Sequence, residues 1–264
     1  MSFNYKIAAF DLDGTIAESK QEVSLKMAEK LFELATKLKV VVISGGSIVQ
    51  FKKQIFPSWL AIKNSSTKKI SEIADKNLIL LPVCGTQQYF YDQISNNWFL
   101  NNSESFDSLL KEKVLAAVDY VITSGKFDIS ENPTGPYIED RGTQITFSAL
   151  GQMAHFIEKQ SWDKDQKKKI AIRNELAKML PELEVRVGGT TSIDILPKGF
   201  DKAVGITKLL PYLGMTKMDM IYVGDALFPG GNDEPVSKIG VKCEKVDGPD
   251  DTMNLIDNWL KEMK

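Results

Sequence analysis

The sequence predicts an α/β protein in which a parallel sheet, covered by helices on both faces, is interrupted by an inserted domain. Three short apolar runs at residues 7–10, 40–43 and 78–81 have the length and composition of buried parallel strands. Segments with helical periodicity separate them, such as residues 23–39, where apolar side chains recur every three or four positions. This alternation is typical of a doubly wound, Rossmann-like core.

The rhythm changes after the third strand, and this change predicts the insertion. Its predicted elements are a hairpin with strands at 87–91 and 98–100, a helix at 106–123, strands at 137–139 and 143–147, and a helix at 163–180. Hairpins and helices of this kind indicate an α+β domain inserted between core strands. We therefore expect an inserted domain at residues 87–187 and a discontinuous core at 1–86 and 188–264.

The strand–helix pattern of the core is predicted to resume near residue 193. The predicted elements are a strand at 193–196, a helix at 201–210, strands at 220–223 and 241–245, and a closing helix at 251–262. A length of 264 residues is sufficient for two such domains.

Composition and charge exclude several classes of protein. A net charge of −2 argues against a nucleic-acid-binding surface. No apolar run approaches the roughly 18 residues that a membrane span needs. The N-terminal residues lack a secretory pattern, and Cys84 and Cys243 are isolated, so we expect reduced thiols and a cytoplasmic location without membrane or nucleic-acid partners. The oligomeric state is not predicted.

The single histidine, His155, restricts the chemistry further. One histidine cannot build a multi-histidine zinc site, and no G-x-S-x-G sequence is present to form a nucleophile elbow. The glycine-rich patterns of P-loop and dinucleotide-binding proteins are also missing from the sequence. Acid–base chemistry therefore falls to carboxylates and lysines.

Two carboxylates end the first predicted strand. Asp11 and Asp13 follow its apolar run and precede Gly14 and Thr15, the residues of a sharp turn. Ligands of open α/β sheets bind beyond the carboxyl ends of the strands. Carboxylates this close repel each other unless a cation or a proton intervenes, so the pattern predicts a Mg²⁺ site that also performs acid–base chemistry.

The run Phe10-Asp11-Leu12-Asp13-Gly14-Thr15 resembles the first motif of the haloacid dehalogenase superfamily. The resemblance implies that Asp11 is a nucleophile that forms an aspartyl-phosphate. It also implies that Asp13 is the general acid and base, with its backbone carbonyl on the Mg²⁺ ion.

Two further motifs of the superfamily have candidates in the predicted core. The second motif is a hydroxyl that contacts the phosphoryl group, matched by Ser44 or Ser47, both of which stay open. The usual position of this hydroxyl in the superfamily favours Ser44, whereas the branch of the superfamily described in the next paragraph favours Ser47. The third motif is a lysine, for which we prefer Lys202 over Lys198 because Gly199-Phe200-Asp201-Lys202 is similar to the Gly-Trp-Asp-Lys of one family. A solvated lysine is disfavoured at Lys202, since a cation in the first turn of a helix opposes the helix dipole unless an anion is nearby.

The fourth motif follows the predicted strand at 220–223. Gly224 and Asp225 precede a glycine-rich loop that ends in Asp233. We expect Asp225 and Asp233 to supply oxygen ligands for Mg²⁺ opposite Asp11. The Gly-Asp-x₄-Gly-Gly-Asn-Asp form of this motif resembles the α-phosphomannomutase branch of the superfamily. That resemblance also implies substrate-binding roles for three residues elsewhere, namely Lys20, Ser192 and Asp194.

The resemblance also implies that the inserted domain at 87–187 is a cap that determines substrate specificity and that the core at 1–86 and 188–264 is catalytic. This cap departs from the branch in its arginines. Arg141 matches one arginine of the branch's cap, but Gln152 stands where another is expected, and Pro133 or Thr134 where a third is. A mutase must hold a second phosphate, for which bidentate arginine is the best donor. The sequence therefore predicts a Mg²⁺-dependent sugar-phosphate phosphatase, with a hexose phosphomutase as the alternative and a catalytically idle binding protein as a second alternative.

Overall fold

The computed structural model describes residues 3–263 and divides into two compact units. The first unit contains the residues up to Ser103 and from Asp201 onward, and the second is Glu104–Phe200. Two clusters of buried apolar side chains form the core of the first unit, and a third forms that of the second. Within the described residues, no helix is both long and apolar enough to cross a membrane.

The strands and helices are numbered separately in chain order. The strands are β1 (Ile7–Asp11), β2 (Lys39–Ile43), β3 (Leu78–Leu81), β4 (Gln87–Asp92), β5 (Asn97–Ser103), β6 (Ile138–Asp140), β7 (Ile145–Ser148), β8 (Leu183–Val187), β9 (Ser192–Pro197), β10 (Met220–Gly224) and β11 (Lys242–Lys245). The helices are α1 (Leu25–Ala35), α2 (Ile48–Gln54), α3 (Phe56–Ser65), α4 (Lys68–Asn77), α5 (Ser108–Thr123), α6 (Phe156–Trp162), α7 (Lys167–Met179), α8 (Lys202–Tyr212), α9 (Glu234–Lys238) and α10 (Pro249–Glu262).

The first unit is built on a seven-stranded sheet in the order β11-β10-β1-β2-β3-β4-β5. Its first five strands are parallel, as predicted. Alternate residues of β1 enter different apolar clusters: Ala8 and Phe10 belong to one, Ile7 and Ala9 to the other. Because both faces are covered, these strands are apolar throughout rather than at every second position.

The predicted hairpin exists, but its strands lie in a different sheet from the one expected. β4 and β5 extend the large sheet as antiparallel strands beyond β3, whereas the sequence analysis assigned them to the cap. Trp98 of β5 is buried against Phe56 and donates a hydrogen bond from Nε1 to the Leu78 carbonyl oxygen at 3.0 Å. The apolar area of this tryptophan fixes the hairpin to the large sheet.

The second unit contains an antiparallel sheet in the order β6-β7-β9-β8, together with α5, α6 and α7. The predicted assignment of residues 193–196 to the core is wrong, because β9 pairs with β7 on one side and β8 on the other. Ile193 and Ile195 enter the apolar cluster, while Ser192 and Asp194, which alternate with them, are only partly buried. This alternation is that of a sheet with one covered face.

Candidate active site

The predicted site residues of the first unit lie where three neighbouring parallel strands end. Asp11 is the last residue of β1, Ser44 directly follows β2, and Asp225 directly follows β10. β1 pairs with both β2 and β10, so their carboxyl ends converge at one edge of the sheet. This is the edge at which open α/β sheets bind ligands.

Three carboxylates meet at this edge. Asp11, Asp225 and Asp233 each offer an oxygen atom within 4.8 Å of the others, although more than 200 residues separate the first from the other two. Asp11 and Asp233 are buried and Asp225 is partly buried. Carboxylate oxygens grouped in this way form a candidate site for a divalent cation, and oxygen is the ligand atom that Mg²⁺ prefers.

Lys202, rather than Lys198, is the lysine that joins this cluster. Lys202 is 2% exposed, and its Nζ lies 2.7 Å from Asp11 Oδ1 and 2.6 Å from Asp233 Oδ1. A third bond of 3.2 Å reaches Asn232 Oδ1, so all three ammonium protons have an acceptor. Lys198 is exposed.

The start of α8 places this lysine. Asp201 is the N-cap residue, and its Oδ1 accepts a hydrogen bond from the Val204 amide at 3.1 Å. Lys202 is therefore the first helical residue, at the end of the helix that repels cations. Its two carboxylate partners offset that repulsion.

The charges of the cluster perturb one another. Burial, together with the charge of Asp233, raises the pKa of Asp11 to about 7, although Lys202 acts to lower it. Burial alone would lower the pKa of Lys202, but the charges of Asp11 and Asp233 raise it overall. Three carboxylates against one ammonium leave an excess of negative charge, which a divalent cation would relieve. The donor set therefore fits Mg²⁺, with Asp11, Asp225 and Asp233 as the side chains that would hold it.

Asp233 is fixed from three directions. Besides Lys202, Tyr222 donates its hydroxyl proton to Asp233 Oδ1, and the Ala226 amide donates to Oδ2 at 3.0 Å. Burial and the nearby carboxylates raise the pKa of Tyr222 well above its ordinary value, so it is a neutral donor. Gly224 permits this packing, because a Cβ atom there would lie 2.3 Å from Asp233 Oδ2.

Thr15 ties the turn after β1 to Asp225. Its hydroxyl accepts a hydrogen bond from the Asp225 amide at 3.1 Å, and its carbonyl oxygen accepts one from the Thr252 hydroxyl at 2.7 Å. Gly14 has a φ of +82°, and a Cβ atom there would lie 2.6 Å from Asp225 Oδ2. Glycine at this position therefore serves both the backbone turn and the close approach of the carboxylate.

The carboxylate of Asp13 is bound by other groups. Oδ1 accepts from the Lys20 amide at 2.6 Å and from Gln54 Nε2 at 3.0 Å, and Oδ2 accepts from Gln50 Nε2 at 3.0 Å. Lys20 contributes its backbone here, with φ at +60°, and its side chain is exposed. The sequence analysis missed both glutamines. Their spacing of four residues on a helix is the only signal, and it is equally typical of a solvated face.

The two candidate serines differ in their surroundings. Ser44 is buried, and its Oγ accepts a hydrogen bond from the Gly46 amide at 3.2 Å. Ser47 is partly buried at the N-cap of α2 and makes no side-chain capping bond. The hydroxyl of Ser47 is thus free of the helix that it begins, whereas that of Ser44 is engaged in the preceding turn.

In the second unit, the predicted substrate residues lie on the polar face of the antiparallel sheet. Register places Glu139, Thr146, Asp194 and Arg186 in one row across its four strands. Thr146 donates to Asp194 at 2.8 Å, and Arg141 forms an ion pair with Glu139 at 2.6 Å. Burial raises the pKa of Asp194, while hydrogen bonding and the two arginines act against that shift. Ser192 lies two residues before Asp194 and so shares its face.

Gln152 has a structural role in this unit. Its side-chain Nε2 donates to the carbonyl oxygens of Tyr137 and Thr146, both at 3.0 Å, and its backbone carbonyl oxygen accepts from Lys159 Nζ at 2.8 Å. Both protons of the side-chain amide are therefore donated to backbone carbonyl groups. Pro133 and Thr134 supply no cationic side chain.

The fold and the carboxylate–lysine cluster define a class of protein, and comparisons with known proteins support the same class. The chain is similar to a haloacid dehalogenase-like hydrolase from Bacteroides thetaiotaomicron, with a TM-score of 0.62, 18% identity, and coverage of 96% of this chain and 99% of that one. At that identity the likeness shows the fold alone. The class is the phosphotransferase enzymes of the haloacid dehalogenase superfamily.

Sequence comparison narrows the class to a family. The family model described as "Eukaryotic phosphomannomutase" matches residues 92–262, and the chain belongs to that family. It is 27% identical over 266 residues to the phosphomannomutase of Encephalitozoon cuniculi, covering 97% of this chain and 94% of that protein. It is 28% identical over 256 residues to that of Oryza sativa subsp. indica, covering 93% and 92%.

Proposed function

We propose that this protein is a hexose phosphomutase of the phosphomannomutase type, which moves a phosphoryl group between the 1- and 6-positions of a sugar phosphate. The observation that carries the proposal is similarity along nearly the whole chain to proteins named phosphomannomutase. The sequence-based preference for a phosphatase gives way to the alternative given beside it, because the likeness includes both the catalytic motifs and the second unit.

The transfer would proceed in two chemically matched steps on Asp11. In one step an Asp11 carboxylate oxygen attacks a phosphorus atom of a hexose bisphosphate, the bond from phosphorus to the sugar oxygen breaks, and Asp13 gives that oxygen a proton, which releases a hexose monophosphate. In the other step the free hydroxyl group of a hexose monophosphate attacks the phosphoryl group on Asp11, Asp13 takes the hydroxyl proton, and the bisphosphate forms again with Asp11 as a carboxylate. The first of these steps needs Asp11 ionised, and the ammonium of Lys202 at 2.7 Å favours that form.

Neutralisation of charge would supply most of the remaining catalysis. Mg²⁺ held by Asp11, Asp225, Asp233 and the Asp13 carbonyl oxygen would act as a Lewis acid on the phosphoryl oxygens. Lys202 would screen the nucleophile from those oxygens. Ser44 or Ser47 would donate the second-motif hydroxyl proton to a phosphoryl oxygen, because Ser44 Oγ only accepts from the Gly46 amide and Ser47 makes no side-chain capping bond.

The division of labour between the two units is also proposed. The first unit would perform the chemistry, and the second would select the substrate through Arg141, Ser192 and Asp194. Lys20, at the end of the turn after β1, is a separate substrate-binding candidate within the first unit. A hexose phosphate suits the set in the second unit, because its hydroxyl groups can pair with the serine and the carboxylate, and its phosphate with the arginine.

One observation favours hydrolysis as a second candidate. A mutase must bind a bisphosphate intermediate, and Gln152 stands where the family has an arginine. Because its amide is bonded to two backbone carbonyls, Gln152 cannot take over that role without losing those bonds. In a phosphatase, water accepts the phosphoryl group and no second phosphate site is needed.

The products formed from mannose 1-phosphate separate these functions. The protein would be incubated with that substrate, Mg²⁺ and a hexose bisphosphate activator, and both mannose 6-phosphate and free phosphate would be followed. We expect isomerisation to exceed phosphate release at least about tenfold. Phosphate release without mannose 6-phosphate would establish the hydrolase instead, and the Asp11→Asn variant supplies the background for both products.

A further inference from the structure

The carboxylate of Asp13 is bound by a pair of glutamine side chains from one helix. Gln50 and Gln54 are four residues apart on α2, so they lie on the same side of the helix. Gln54 reaches Oδ1 and Gln50 reaches Oδ2, each at 3.0 Å. With the Lys20 amide at 2.6 Å, both carboxylate oxygens accept hydrogen bonds and the side chain is held in one orientation.

Each glutamine is itself oriented by a second hydrogen bond. Gln54 Nε2 also donates to the Gln21 carbonyl oxygen, and Gln50 Nε2 also donates to Gln54 Oε1, both at 2.8 Å. Because a carbonyl oxygen can only accept, Gln21 fixes which end of the Gln54 amide faces it. The four side-chain amide protons of the pair are therefore all used, and two of them go to Asp13.

The two glutamine side chains are closely surrounded by other atoms. Gln54 is 2% exposed, which is rare for a glutamine that does not serve a bonded network. Gln50 lies over Gly46, where a Cβ atom would come within 2.5 Å of Gln50 Oε1. The second glycine of the turn after β2 thus makes space for Gln50.

From these contacts we infer that Gln50 and Gln54 are positioning residues for proton transfer by Asp13. The inference rests on the proposed function, in which Asp13 protonates the departing sugar oxygen. A sugar hydroxyl group is a poor leaving group, so this proton must be delivered at hydrogen-bond distance as the bond to phosphorus breaks. The glutamine pair holds the donor for that step and, in the part of the chain that the structure describes, forms its side-chain hydrogen bonds with groups other than Asp11 and Lys202.

The role is tested by varying the leaving group. p-Nitrophenolate departs without a proton, whereas the oxygen of a hexose 6-phosphate needs one. For Gln50→Met and Gln54→Met we expect the single-turnover rate of leaving-group release from hexose 6-phosphate to fall about 10- to 100-fold, a fraction of what general acid catalysis supplies. Release of p-nitrophenol from p-nitrophenyl phosphate should change less than about threefold.

Controls make the outcomes distinct. Gln88→Met removes an equally buried glutamine, 2% exposed, from β4 of the same unit and should leave both rates unchanged. If Gln54→Met fails to fold, Gln50→Met at the less buried position decides the matter. Equal losses on the two substrates, or no loss on either, would overturn the inference. A wild-type protein that releases neither leaving group would instead overturn the proposed function.

Discussion

The ammonium of Lys202 lies 2.7 Å from the carboxylate of Asp11, and both groups are almost fully withdrawn from water. The two residues come from the two chain segments of the first unit, one at the end of β1 and the other at the start of α8. A buried charge is strongly destabilising unless a group of opposite charge lies beside it. This ion pair therefore joins the two segments of the first unit, and it also favours the ionised form of Asp11 against the effect of burial.

Replacement of Lys202 by Met should damage both stability and activity. Asp11 and Asp233 would be left as buried carboxylates without their cation, so we expect the free energy of unfolding to fall by about 3–5 kcal/mol in the absence of metal. Turnover should fall at least about 100-fold, as when one electrostatic stabiliser is lost. Urea denaturation and steady-state assays measure the two effects.

Lys198→Met is the matched control, because Lys198 is exposed and only four residues away. It should leave the urea midpoint nearly unchanged. If both variants behaved alike, the buried ion pair would not have the role assigned to it.

Mg²⁺ should stabilise the protein through the three carboxylates. Binding to the folded state alone adds about 2.7 kcal/mol at a metal concentration 100 times the dissociation constant, which raises the melting temperature. Asp225→Asn should raise the Mg²⁺ concentration needed for half of this stabilisation at least about tenfold, since it removes one charged ligand. Asp219→Asn, a change of the same charge at the other end of β10, is the control. Equal Mg²⁺ responses in the two variants would argue against the proposed metal site.

The carboxylate of Asp194, on a partly buried residue, should make the stability of the second unit depend on pH. Burial raises its pKa above the ordinary value of 3.8, so the folded protein holds this proton to a higher pH than the unfolded chain does. In that window the folded state binds more protons, and stability falls as the pH rises. Asp194→Asn removes this loss, so its melting temperature relative to wild type should be higher at pH 8 than at pH 4.

Asp119→Asn provides the comparison, because it changes the same charge at an exposed position of α5. Its melting temperature relative to wild type should not show that rise between pH 4 and pH 8. If Asp194→Asn also showed no rise, burial would not raise the pKa of the Asp194 carboxyl group in the folded protein. A cost of this kind, retained in the unit proposed to select the substrate, is typical of a binding residue.

The sequence predicted most of the large sheet, because strands covered on both faces are written as continuous apolar runs. The same reasoning found Asp11 and Asp225, since polar residues that directly follow such runs must emerge at one edge of the sheet. It did not place β4, β5 or β9 correctly. Strand pairing between distant segments depends on surfaces such as Trp98, whose partner is not visible from local pattern.

Polar networks between side chains were harder to predict than the charged cluster. Gln50 and Gln54 lie on a helix that local sequence describes as a polar face, and only the turn after β1 shows what they bind. The choice between Ser44 and Ser47 was likewise open, because both follow the same strand. The local sequence shows which polar side chains a helix or turn carries, but the tertiary structure determines which groups they hydrogen-bond to.

Whether Asp11 carries the phosphoryl group can be measured by stopping turnover in acid and digesting the protein for mass spectrometry. With a hexose bisphosphate and Mg²⁺, the peptide that contains Asp11 should gain the mass of one phosphoryl group. The gain should be absent from Asp11→Asn, whose turnover should be abolished although its far-ultraviolet circular dichroism matches wild type. A phosphorylated peptide that excludes Asp11, or an Asp11→Asn variant with activity within a few-fold of wild type, would contradict transfer through this carboxylate.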